Sequence, residues 1–118
     1  MTTFASRSER RIGVIEVTGA LNDDAIVGLR STIADAVSQA GAPRVLIIAD
    51  GITAMSEHAA LILIVECATL RARGGNAAWI SARGRIATPG TVPAATLYMS
   101  VYRSLRAALD LFGIESAR

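Results

Sequence analysis

The stretch Val45-Leu-Ile-Ile-Ala49, preceded by Pro43 and followed by Asp50-Gly51, decides how this chain folds. It is apolar throughout, rich in β-branched residues and too short for a helix. It therefore reads as a strand covered on both faces, the centre of a largely parallel sheet, with Asp50-Gly51 as the turn that ends it. Parallel neighbours need crossover connections, so helical patterns are expected on either side of it.

Downstream, Ser56 is suited to cap a helix running from Glu57 to about Arg73, with Gly74-Gly75 ending it. The middle of that helix, Ala59 to Val65, is apolar nearly all round, which predicts burial on more than one side. Ala77-Ala-Trp-Ile80 supplies another short strand. Upstream, Gly13 to Gly19 alternates in the manner of a half-covered strand, and Thr3 to Arg10 can pair with it as an edge blunted by Arg7, Glu9 and Arg10. Asn22, Asp23 and Asp24 offer a side-chain cap and negative charge at a helix start. Ile26, Leu29, Ile33 and Val37 then form one helical stripe, closed by Gly41 and Pro43.

The C-terminal third is less regular. Arg83 to Pro93 reads as loop because of its prolines and glycines. Beyond it, Leu97, Met99 and Val101 alternate as a strand would, with Ser104 capping a helix from Leu105 to Phe112. A single helical face through Tyr98, Val101, Leu105, Ala108 and Phe112 also fits. The first reading is preferred, and in either case Gly113 is the expected stop. Strand and helix in regular alternation imply one α/β domain over residues 1–118, a mostly parallel sheet of about four to five strands with right-handed crossovers.

Composition narrows the function classes. The 118 residues are 52% hydrophobic and 19% charged, with a formal charge of +2, a balance that supports a core and not a disordered chain. All twelve basic residues are arginine, scattered among ten acids, and the few aromatics do not alternate with them, so no nucleic-acid partner is expected. Cys67 is the single cysteine, which suits a reducing cytoplasm. The N-terminus becomes charged before an apolar segment builds up, and the run from Ala59 to Val65 is far below the roughly 20 residues that span a bilayer, so no membrane insertion is expected. No metal pair, phosphate loop or nucleophile elbow is visible, so neither a cofactor nor an enzyme activity is expected. Asp50, at the end of an apolar strand, invites comparison with a receiver's phosphoacceptor, but the chain has no lysine, and Asp23 and Asp24 are better explained as helix capping.

Three segments in fixed order carry a family resemblance: Val17-Thr-Gly19-Ala-Leu21, Val45 through Thr53, and Leu70-Arg-Ala-Arg-Gly74-Gly75, with Ser104-Leu-Arg-Ala-Ala-Leu109 as a closing helix. Together they resemble the STAS domain, the module shared by sulfate transporters and anti-sigma factor antagonists. The resemblance implies a bacterial partner-switching regulator that binds an anti-sigma factor or a related kinase-type ATPase. It implies a docking face made of Leu21, Asn22, Asp23 and Asp24 together with Thr53, Ala54, Met55, Ala59 and Ala60, and it leaves a homodimer open. An accessory module of a membrane-transport or lipid-handling complex is the alternative.

The family's regulatory signature is Asp-Ser-Ser-Gly, whose first Ser is phosphorylated. Laid without gaps from Gly51-Ile-Thr53, it falls on Ser56, Glu57, His58 and Ala59, so the acceptor slot holds Glu57. A carboxylate there supplies about one charge where phosphate supplies nearly two, a partial imitation of the phosphorylated state. Ser56 is better read as a helix cap than as an acceptor, and His58 as a surface or interface residue. Cys67 and Trp79 are expected in the core.

Overall fold

The computed structural model describes residues 2–83 and 100–116. The chain runs β1 (Thr3–Glu9), β2 (Ile12–Leu21), α1 (Asp23–Ala40), β3 (Arg44–Met55), α2 (Glu57–Ala72), β4 (Asn76–Ile80), β5 (Ser100–Tyr102) and α3 (Leu105–Ser116). The strands form one sheet in sequential order, β1 antiparallel to β2 and the others parallel. Because β2, β3 and β4 step across the sheet in one direction, right-handed crossovers put α1 and α2 on the same face. Both helices do share one core with that face, built on Ile15, Val17, Leu29, Val45, Ile47, Leu63 and Trp79. On the opposite face Ile12, Leu46, Ala78 and Ile80 pack with Ala108 and Phe112 of α3. Alternate residues of β3 thus serve opposite faces, which is why Val45 to Ile47 are all buried.

Four details depart from the sequence reading. First, Asp50-Gly51 does not end the central strand: β3 continues to Met55. Its register with β2 shifts twice, so that Gly51 lies opposite Thr18 and Met55 opposite Leu21. A Cβ on Gly51 would stand 2.8 Å from the Val17 carbonyl oxygen, so this glycine permits close approach of two strands and not a turn. Second, α2 is buried on one side only. Ala59, Ala60, Leu63, Cys67 and Leu70 face the sheet, while Leu61 and Val65, one helical turn apart, are 49% and 58% exposed. A helix lying on one sheet face has nothing above it, whatever its composition. Third, Gly113 does not stop α3, which continues to Ser116; glycine in a helix costs about 1 kcal/mol and need not terminate it. Fourth, β2 and β3 are both longer than the segments first delimited.

The expected edge strand, the strand-then-helix reading of the C-terminal region and the cap at Ser104 are all present, the last with its hydroxyl accepting from the Ala107 N–H at 3.1 Å. Leu97, Met99 and the expected loop beyond Arg83 lie outside the described residues.

Candidate functional site

The strands β2 and β3 are parallel neighbours, so their C-terminal ends, and the helix starts that follow, come out side by side. That end of an open α/β sheet is where such folds place their sites. Asn22 is the N-cap of α1, its side-chain oxygen accepting from the Ala25 N–H at 2.9 Å. Ser56 is the N-cap of α2, its hydroxyl accepting from the Ala59 N–H at 3.1 Å. The same Ser56 hydroxyl donates to Asp23 Oδ1 at 2.6 Å, and the Ser56 N–H donates to the Leu21 carbonyl oxygen at 3.0 Å. One serine therefore uses its hydroxyl in both senses, capping its own helix and bonding the first residue of the other. A hydrogen bond to a charged acceptor is among the stronger kinds.

The two segments singled out from the sequence are thus joined. Within them, Asn22, Asp23, Asp24, Thr53, Ala54, Glu57 and His58 are exposed and Ser56 is half-buried. Leu21, Met55, Ala59 and Ala60 are buried, and their side chains anchor the face from below. The exposed surface carries the carboxylates of Asp23, Asp24 and Glu57 and the imidazole of His58. Asp23 and Asp24 occupy the first turn of α1 and Glu57 the first turn of α2, where negative charge complements the helix dipole. Beside them an open depression of about 610 Å³ is bounded by Phe4, Gly19, Asn22, Asp24, Gly28 and Thr53. The exposed apolar side chains Val27, Leu61 and Val65 continue the surface along α1 and α2, and Arg30 and Glu66 join the two helices by an ion pair of 2.8 Å.

Asp50 lies apart from this arrangement. Its carboxylate accepts from the Ala82 N–H at 2.9 Å, fixing the chain as it leaves β4. Among the described residues no group of three or more His, Cys, Asp or Glu side chains could hold a metal ion. Cys67 is buried, and burial raises its thiol pKa above the ordinary 9.0, against smaller opposing effects of Arg71 and of a backbone hydrogen bond from Ala77. No helix among the described residues is long and apolar enough to cross a membrane.

The sequence reading missed the Ser56–Asp23 bond. The signal available for it was the pair of capping residues after two apolar runs, which becomes a contact only once β2 and β3 are known to be adjacent.

No family model matches the sequence, and no curated protein matches it. Solved structures do. An anti-sigma factor antagonist from Mycobacterium paratuberculosis superposes with a TM-score of 0.71 at 14% identity, over 96% of this chain and 95% of that one. The anti-sigma factor antagonist SpoIIAA in its unphosphorylated form gives 0.69 at 16% identity, over 92% and 96%. A Thermotoga maritima protein assigned to the same class gives 0.71 at 10% identity, over 93% and 94%. From β1 to α3, this chain has the SpoIIAA-like STAS fold of the solved anti-sigma factor antagonists.

Proposed function

We propose that this protein is a non-catalytic regulator that docks an anti-sigma factor, or a related kinase-type ATPase, through the face formed by Asn22 to Asp24 and Thr53 to His58. The observation that carries this reading is the Ser56 hydroxyl bonded to Asp23 at 2.6 Å, which makes one surface of two segments far apart in sequence. The fold likeness to anti-sigma factor antagonists supports the choice of partner class. Burial of Leu21, Met55, Ala59 and Ala60 beneath the face keeps it rigid, so little ordering entropy opposes docking.

Glu57 stands where the family's acceptor serine is expected, exposed in the first turn of α2. Its fixed charge imitates the phosphorylated state in part, and so weakens docking to a partner that prefers the unmodified form. Ser56 does not replace it as acceptor, because its hydroxyl already caps α2 and faces a carboxylate that repels phosphate. Glu57→Ser is therefore expected to bind the cognate anti-sigma factor more tightly and to gain one phosphate from a kinase of that class, while the natural chain gains none. Calorimetric titration and intact mass after incubation with ATP read both effects. Equal affinity of the two forms, with a lower melting temperature for Glu57→Ser, would leave Glu57 as helix-dipole complementation only.

A further inference from the structure

The second helix is apolar on the side that the sheet does not cover. Along α2, His58, Leu61, Val65, Ala68 and Ala72 follow one another at spacings of three and four. On the helical wheel they form a stripe directly opposite the buried Ala59, Ala60, Leu63, Cys67 and Leu70. All five members of the stripe are exposed. A helix that is apolar on two opposite sides is ordinarily covered on both, and contiguous exposed apolar residues with a polar rim mark a contact surface. The stripe is also held in place. Glu66, next to Val65, is tied to Arg30 of α1 at 2.8 Å, and Arg71 Nε donates to Asn76 Oδ1 at 3.1 Å.

The pattern of the stripe selects what covers it. Glu57 and Arg71 lie on the same flank of the stripe, one in the first turn of α2 and one in the last. When two identical helices pack antiparallel about a two-fold axis, the same flank of each faces the other, so Glu57 of each copy is brought towards Arg71 of its mate. Size is matched in the same sense. Reversal about Val65 sets Leu61 of one copy over Ala68 of the other, large against small. A formal charge of only +2 on 118 residues puts little repulsion in the way of self-association. A lipid surface is a poorer cover, because a helix lying on a membrane carries cations beside its apolar face, whereas Glu57 and Glu66 adjoin this one.

We infer that two copies of this chain associate through α2, antiparallel about a two-fold axis close to Val65, with Leu61, Val65 and Ala68 at the centre and Glu57 paired with Arg71 of the other copy at each end. The inference does not rest on the docking reading, and its test uses the chain alone.

Sedimentation equilibrium of the full-length chain, over about a hundredfold range of concentration reaching the millimolar, is expected to show monomer and dimer in exchange. Val65→Glu sets like charges against each other at the axis and should weaken dimerisation about tenfold or more, while far-ultraviolet circular dichroism retains the natural helix signal. In a Cys67→Ala background, Val65→Cys should cross-link two chains on mild oxidation. Arg106→Cys, exposed on α3 across the sheet, should not. A monomer at every concentration would overturn the inference. So would a dimer that Val65→Glu leaves intact, or cross-linking as efficient at position 106 as at position 65.

Discussion

At residue scale, Ser56 shows how far a single side chain can be read in advance. Its type and its place before an apolar run identify a helix cap, and the hydroxyl does accept from the Ala59 N–H. That it also donates to Asp23 depends on which strands are neighbours, and no local pattern encodes that. Cys67 was legible for a simpler reason: a small apolar residue within an apolar helix is buried wherever that helix meets the sheet. Its pKa has a consequence for stability. The thiol ionises in the unfolded chain near its ordinary value of 9.0, while burial holds the folded thiol protonated to higher pH. The unfolded state therefore binds fewer protons over that interval, and stability falls as pH rises through it. Urea unfolding at about pH 8 and about pH 10 should show a larger loss for the natural chain than for Cys67→Ala. Equal losses would mean that the thiol ionises alike in both states.

At the scale of elements, glycines mark where sequence pattern and backbone demand diverge. Asp50-Gly51 carries a turn signal, yet the missing Cβ serves the close approach of β3 to the Val17 carbonyl, and the strand runs on. Edges and caps were legible because they depend on neighbours in sequence: Asn22, Ser56, Ser104 and the Gly74-Gly75 stop all act within one turn. The length of β3 and the exposure of Leu61 and Val65 were not, because they depend on what lies across the sheet or above the helix. Gly74 and Gly75 make the distinction measurable. Gly74 has φ of +83° and open space around a hypothetical Cβ, whereas a Cβ on Gly75 would fall 1.8 Å from the Pro43 carbonyl oxygen. Gly74→Ala should cost about 1–2 kcal/mol from backbone strain alone. Gly75→Ala should cost about 3 kcal/mol or more, since the α2–β4 turn would have to move off Pro43. Equal effects in denaturant unfolding would contradict this account of the turn.

At the scale of the molecule, the alternation of strands and helices fixes the polarity of the whole domain. Parallel strands send every helix start to one end, which brings Asp23 and Asp24 of α1 beside Glu57 of α2 there, and the β1–β2 turn and the Gly41–Pro43 loop to the other. The sequence pointed to this face through the family resemblance and through two segments that each follow a strand at one end of the sheet; the Ser56–Asp23 bond that joins them has no local signal. The central claim, that the acidic end docks an anti-sigma partner, is tested most directly by placing a bulky cation on it without disturbing the core. Ala54 is exposed at the end of β3, opposite Ala20 of β2. Calorimetric titration of Ala54→Arg against the cognate anti-sigma factor should show affinity reduced about tenfold or more, with the melting temperature of the natural chain retained. Unchanged affinity, with the natural chain and Ala54→Arg binding alike, would contradict the assignment of this face.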